Sequence, residues 1–541
     1  MNRLTVYVFA LLVLFCVAVD GAEPSQRLVD APVNQPYQVW PSHPPAGCPF
    51  ERSEFIRGVA FTGRYANYTQ ADTWYPTWAS DGNYYSPWTD GRVGDEGCSS
   101  ARGTDARTGQ AKIVGDDPMN LEVTSLGTVG ASAAPYGGRY PCGSLVYDGV
   151  WYYGTYGLMN APYGLNWPIL GPCAGFHVST DYGKTWEKSP HSCRPGDALF
   201  PEPREQGGPV KMGAPHFVDF GKNMEHSPDG KAYLVGHGST EQDREDRKAN
   251  LSWISGDQIY LCRVEPSPEN INDESCYEYF AGHGEDGEPR WSTDFEDIRP
   301  LIEWDNHCGC VTATYNPKLD RYLMCITDGW PTTKTMDTYI LESERLTGPW
   351  RLVTYMEDLG EQAYFVNVPS KFFGEDGRTA WLCYAANWND RQHTKWRVRP
   401  PGSHYAMSLH ELRLLGPNDE VSTGPLNAPE NVARDARVAV TSNYDGYHAF
   451  GAVDGRVGGF PDDTDAEWAS RGEGEGAMLR LTWQEPVTID RVWLFDRPND
   501  LDRVTSGLLV FSDGSTIRTR GLPDDAEKGL EVTFESRTVT W

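Results

Sequence analysis

Asp72 and Asp90 stand on either side of an Asp81-Gly82 turn in ADTWYPTWASDGNYYSPWTDG, residues 71–91, with 90 − 72 = 18 positions between them. An Asp-Gly pair between strand-forming residues specifies a tight hairpin. Such a hairpin carries Asp72 and Asp90 back towards each other, while Asp81 serves the turn. Two facing carboxyl groups support acid–base chemistry at an acetal: one delivers a proton to the leaving oxygen, and the other activates or replaces water. Trp74 and Trp88 beside them offer aromatic faces of the kind that cover the C–H surface of a sugar. Three further segments along the chain repeat this density of polar and aromatic residues.

GAPHFVDFGKNMEHSPDGKAYLVGHGS supplies His216, Asp219 and Glu225. EWDNHCG supplies His307 beside Asp305 and Asn306, and GEQAYFVNVPSKF supplies Glu361 and Tyr364. If each segment belongs to a different repeat, one polar loop per repeat converges on a common ligand. The histidines and tyrosine also support a second chemistry, abstraction of the proton beside a uronate carboxylate by His216, His307 or Tyr364, as in cleavage of a rhamnose–glucuronate linkage. A third reading has no reaction at all: a secreted protein that holds glycans on aromatic platforms. No His-Glu-x-x-His zinc motif, phosphate-cradling glycine loop, dinucleotide fingerprint or Gly-x-Ser-x-Gly elbow is present.

The elements that must position these residues read as short strands. GSLVYDGVWYYGTYG, GKAYLVGHG, DRYLMCITDG and RTAWLCYAANW are apolar and aromatic runs bounded by turn residues. A turn followed by an aromatic strand recurs at Asp81-Gly82, Asp148-Gly149, Asp229-Gly230, Asp320-Arg321 and Asp376-Gly377. Large, unequal repeats of one hairpin predict an all-β fold, a five-bladed β-propeller over residues 40–415, with a stacked pair of β-sandwiches as the competing arrangement.

Composition narrows the partners. With 47 basic and 76 acidic residues the formal charge is −29, spread along the chain. Nucleic acid is disfavoured, because phosphate binding needs a basic face; a polysaccharide or glycan fits. The opening MNRLTVYVFALLVLFCVAVDGAEPSQ has the form of a secretory signal peptide over residues 1–22, predicting export without membrane insertion. Of 12 cysteines, Cys16 falls in that peptide, leaving 12 − 1 = 11, an odd number. Cys173 with Cys193 and Cys262 with Cys276 are the expected local disulfides. Cys308 and Cys310 lack a second pair at zinc spacing. Asn67-Tyr68-Thr69 and Asn250-Leu251-Ser252 have the form of glycan acceptors.

A linker rich in Pro, Gly, Asn and Ser is expected over 416–428, followed by a second series of strands over 429–541. Trp541 falls before the closing strands that such a module would need. Its Val453-Asp454-Gly455 turn makes Asp454 a candidate ligand for a structural Ca2+ through hard carboxylate oxygens, with an Asx turn as the alternative. Hydrolysis itself calls for no cofactor.

Three resemblances sharpen these expectations. Ser179-Thr180-Asp181-Tyr182-Gly183-Lys184-Thr185-Trp186 resembles the Asp box of sialidases and other propellers, which implies a fold element and no catalytic role for Asp181. Asp72-Thr73-Trp74 with Thr89-Asp90-Gly91 resembles the first blade of a secreted five-bladed propeller group that includes endo-arabinan hydrolases. That likeness implies an inverting hydrolysis with Asp72 and Asp90 as acid and base. Residues 429–541, through Ala452-Val453-Asp454-Gly455, Glu467-Trp468-Ala469 and the strand ending at Trp483, resemble discoidin-like β-sandwich modules that bind carbohydrate.

Overall fold

The computed structural model describes residues 40, 42–159, 169–194, 196–202, 209–241, 251–331, 335–386, 400, 402–419 and 431–541, apart from 456, 458–463, 465–466, 497–501 and 525–528. Before residue 40 it describes only the short strands Leu4–Phe9, Leu11–Leu12, Leu28–Val29 and Gln38–Val39. The region of signal-peptide cleavage and most of the expected linker lie outside the described residues. Leu4–Phe9 runs as a parallel strand beside Val487–Phe495.

Five antiparallel sheets follow one another along the chain between residues 59 and 414. The first holds Gln70–Asp72 and Thr77–Trp78, both paired with Tyr84–Val93, and continues outward through Arg107–Val114 to Glu122–Gly130. The second is Gly138–Tyr147, Val150–Met159 and Ile169–Ser179. The third begins at His216–Phe217 and passes through Ala232–Gly238 and Gln258–Val264 to Tyr277–His283. The fourth is Val311–Asn316, Arg321–Asp328, Asp337–Ser343 and Arg351–Met356. In the fifth, Tyr364–Asn367, Thr379–Ala385 and Met407–Leu414 are completed by Val59–Tyr68 from the other end of the chain. The chain thus closes a ring of five blades, an all-β propeller.

All five sequence-expected turns join the innermost strand of a blade to its second strand. Chirality explains the residue choice: Gly82 and Gly149 adopt φ of 85° and 81°, which an L side chain reaches only under strain. The outer edge of the second blade ends in the turn around Asp181. Its carboxylate accepts from the Thr185 amide at 2.8 Å, the Thr185 hydroxyl at 2.7 Å and the Lys184 amide at 3.1 Å, and Trp186 packs 5.2 Å from Trp151. Asp181 is therefore committed to the turn.

The innermost strands run parallel around the axis. Thr312 Oγ1 donates to the Val366 carbonyl and Thr314 Oγ1 to that of Val368, both across 54 residues, and the Gly143 amide donates to the Pro215 carbonyl at 2.7 Å. Their N-terminal ends consequently gather at one end of the axis, the mouth, and the Asp-Gly turns at the other.

All eleven described cysteines are free thiols, which corrects the expected disulfides. Cys173 and Cys262 lie within strands with their side chains in the core, Cys193 packs against the backbone of Gly157, and the Cys276 thiol lies 3.6 Å from Asn270 Oδ1. A local loop rich in Pro and Ser does not by itself bring two sulfurs together. From residue 431 onward the strands Arg437–Val440 with Leu479–Thr482, Val487–Phe495 with Leu530–Val539, and Gly507–Val510 with Thr516–Thr519 enclose a cluster of their own around Trp468, Trp483 and Phe495.

Trp74 and Trp88 are fully buried, with the Trp74 indole donating to the Ala71 carbonyl at 2.8 Å. Neither presents a face to a ligand, which corrects their expected role. Trp88 lies over Gly109 so closely that a Cβ there would sit 2.1 Å from the indole ring. Gly109→Ala is therefore expected to destabilise the first blade by about 1–3 kcal/mol, since overpacking forces the backbone to shift. A urea midpoint equal to that of the wild type would show that the contact is slack.

Candidate active site

At the mouth, Asp72 ends its short strand opposite Thr89, so the hairpin does bring Asp72 and Asp90 together. Asp72 is 7 % exposed and its oxygens are ringed by hydroxyls. Thr73 donates to Oδ1 at 2.8 Å, and Tyr364 donates to Oδ2 at 2.9 Å. The Tyr405 hydroxyl lies 2.8 Å from the same Oδ2 and 2.9 Å from the Asp90 carbonyl oxygen, tying the two aspartates to one ring. Asp90 itself sits at φ 48° and accepts from Ser99 Oγ at 2.6 Å and the Ser100 amide at 3.0 Å.

Burial is the main cause that pushes the Asp72 carboxyl up to about 7, and the charge of Asp90 adds to it. The three hydroxyl donors oppose the shift and do not cancel it. Asp72 thus keeps a proton that an ordinary aspartate loses three pH units lower. A proton held there near neutrality is available for transfer. Around it Trp253 packs edge-on to Tyr364 at 5.0 Å, and Tyr75, Tyr156 and Phe365 complete an aromatic floor.

The remaining sequence candidates divide by height along the axis. Glu361 and His307 lie in the turns that lead into inner strands, Glu361 before Tyr364–Asn367 and His307 before Val311–Asn316. Glu361 occupies a turn at φ 59° three residues before Tyr364. His216 lies deeper, fully enclosed, its ring 3.9 Å from that of Tyr75. Neither of its nitrogens has a partner among the described residues, and burial followed by the nearby His237 pushes it down to about 3. Below it the channel between Tyr75, His216, Thr312 and Asn367 leaves water-sized space of about 40 Å³.

Asp219 and Glu225 belong to the opposite end, and the expectation that they join the other candidates around one ligand in the funnel is corrected. Asp219 Oδ1 accepts from the Ser370 hydroxyl at 2.7 Å and Oδ2 from the Ser370 amide at 2.8 Å, fastening the third blade to the fifth. Glu225 lies in the turn after the inner strand, half exposed, with His226 3.8 Å away. Both follow His216 in a strand that runs away from the mouth. Asp454 is buried in its turn, and among the described residues no group of three or more His, Cys, Asp or Glu gathers to hold a metal.

Tyr405 was invisible to sequence reasoning. It precedes the strand that pairs with the start of the propeller, 333 residues from Asp72.

A family model, a domain of unknown function designated DUF7402, matches residues 431–541. No curated protein matches the chain. Among solved structures, an α-L-arabinofuranosidase from Podospora anserina in complex with cellotriose is similar at 10% identity and TM-score 0.32, covering 70% of this chain and 96% of that one. A β-xylosidase/α-arabinofuranosidase of glycoside hydrolase family 43 from a compost metagenome is similar at 12% identity and TM-score 0.36, covering 65% and 97%. An arabinanase from Bacillus subtilis is similar at 15% identity and TM-score 0.30, covering 62% and 92%.

Because folding raises the Asp72 pKa above that of the unfolded chain, the group favours the folded state most below pH 4 and loses that contribution as pH rises through about 7. Asp72→Asn, which does not titrate, is expected to gain stability relative to the wild type across that window. Parallel urea midpoints at pH 4 and pH 8 would contradict the shift.

Proposed function

We propose that this chain is an exported glycoside hydrolase that cleaves a polysaccharide at the mouth of its propeller, with Asp72 as the proton donor to the leaving oxygen. The observation that carries the reading is the Asp72 carboxyl, buried among Thr73, Tyr364 and Tyr405 and pushed up to about 7, beside a second aspartate. Asp90 completes the acid pair. Its charge keeps the proton on Asp72, as happens when two carboxylates share a site. The reading takes the hydrolysis as inverting, with Asp90 as the base that activates water. Residues 429–541 are proposed to be a discoidin-like sandwich that holds the enzyme on its substrate, raising local substrate concentration without altering the chemistry. Asp454 is the residue proposed to bind a structural Ca2+ there.

The lyase reading is less well supported by the same geometry. His216 is enclosed and pushed down to about 3, so it is a weak base. Tyr364 gives its hydroxyl proton to Asp72, and burial followed by the Asp72 charge moves its pKa well upward.

The test is hydrolysis of a polysaccharide panel that includes arabinan, arabinoxylan and uronate-bearing glycans. The purified chain is expected to release reducing ends without the absorbance of an unsaturated uronate. Asp72→Asn is expected to slow this by about 10²–10⁴, the usual worth of a general acid, and Asp90→Asn to move the pH profile as well as the rate. Unsaturated products retained in Asp72→Asn would replace hydrolysis with elimination.

A further inference from the structure

Aromatic side chains close the floor of the mouth, and one of them differs from the rest. Tyr75, Tyr156, Trp253, Tyr364 and Tyr405 are buried within that cluster, whereas Tyr140 packs against it and stays partly exposed. The hydroxyls of Tyr364 and Tyr405 are committed to Asp72, and that of Tyr156 is closed off from solvent. Among the described residues the Tyr140 hydroxyl forms no hydrogen bond. An aromatic ring with an uncommitted donor therefore stands at the edge of the acid site, a residue that the sequence did not single out.

Its position beside the two aspartates is fixed by the backbone. Tyr140 is the third residue of the inner strand Gly138–Tyr147, whose first residue opens at the mouth. The Arg139 amide donates to the Ser100 carbonyl at 3.1 Å, and the Ser100 amide donates to Asp90 Oδ1 at 3.0 Å. Two hydrogen bonds thus tie this strand to the Asp90 carboxylate. Side chains alternate along a strand, and Arg139 turns away, its Nε donating to Thr155 Oγ1 at 2.8 Å. Tyr140 turns the other way, opposite Tyr156 in the ladder, with 6.3 Å between the rings. Its ring folds back over Gly138, where a Cβ would fall 2.4 Å from Tyr140 Cε2. The phenol consequently leans towards the mouth. Electrostatics agree with this placement: burial, then the charge of Asp90, then that of Asp72 push the phenol well upward. The hydroxyl keeps its proton at neutral pH and is a donor there.

We propose that Tyr140 is the substrate contact that selects the sugar: its hydroxyl donates to a hydroxyl of the glycosyl unit held between Asp72 and Asp90, and the exposed part of its ring covers that unit's C–H surface. The proposal rests on the hydrolase reading and deepens it, because it names what holds the sugar while Asp72 delivers its proton and Asp90 activates water. Tyr140 makes and breaks no bond. Its ligand is a neutral glycosyl unit, since a uronate carboxylate at this position would add a like charge beside Asp90. Wedged between Gly138 and Tyr156, the ring is held in place before the sugar arrives, and little freedom is lost on binding.

The experiment compares the full wild-type chain with Tyr140→Phe, Tyr140→Ala and Gly138→Ala on the polysaccharide that the wild type hydrolyses fastest, with urea midpoints measured in parallel. Tyr140→Phe, which loses only the hydroxyl, is expected to lower kcat/KM by about 2–10-fold, the worth of one neutral hydrogen bond. Tyr140→Ala is expected to lower it by about 10–100-fold, mainly through KM, because the covering ring goes as well. Gly138→Ala pushes the ring aside and is expected to raise KM in the same way with the hydroxyl still present. Inhibition by the released sugar is expected to weaken by the same factor as KM. The pH limbs of kcat and the Tyr140→Phe urea midpoint are expected to stay at their wild-type values. Wild-type kcat/KM in Tyr140→Ala, a loss that moves the pH limbs, a loss matched by a lower Tyr140→Phe midpoint, or faster turnover of uronate-bearing than of neutral glycans would each overturn the assignment while leaving hydrolysis intact. A wild-type chain inactive on the whole panel would overturn both readings together.

Discussion

The pairing of Val59–Tyr68 with Met407–Leu414 is the constraint on which the rest depends. It joins the two ends of the propeller in one sheet, Met407 opposite Tyr68, and every blade is then flanked on both sides. Asp72 follows the first of these strands by four residues, and Tyr405 precedes the second by two. Closing the ring therefore assembles the acid site in the same event. Ladder hydrogen bonds on this seam are of the longest range within the propeller, and loop-closure entropy must be met before they form.

A carboxyl with a raised pKa is destabilising, and its neighbours show how the fold sustains it. Tyr364 and Tyr405 stabilise the charged form of Asp72 and so limit the shift, while burial and Asp90 extend it. The fourth blade repeats the device with different parts: burial pushes Asp337 up to about 7, the Asp358 amide opposes that, and Asp328 adds to it. Both clusters lie at strand ends: Asp72 closes Gln70–Asp72, Asp328 closes Arg321–Asp328 and Asp337 opens the strand beside it.

Much of the architecture was legible because its cause is local. Asp148-Gly149 and Asp376-Gly377 announce their hairpins through the φ that only their turn needs, and the same logic correctly returned Asp90 to Asp72. What could not be read depends on contacts between distant strands. Trp88 looks like a ligand platform until Gly109 is placed beneath it. Glu225 looks like a mouth residue until the direction of its inner strand sends it to the far end. Asp328 was hidden in CITDG, where it reads as a turn residue; only the return of His307 from another strand end reveals its partner. Cys173 and Cys262 share the lesson, since a disulfide needs two sulfurs on facing surfaces and sequence proximity does not supply them.

Ring closure has a further meaning for what activity can report. Each blade has its own hairpin contacts and its own share of the core, so a ring opened at the seam between Val59–Tyr68 and Met407–Leu414 would keep most of its secondary structure. Tyr405 would nonetheless part from Asp72 and Asp90. The chemistry proposed for the mouth would in this sense be a sensor of circularity, silent in a chain whose blades are all intact but whose first and last strands have let go.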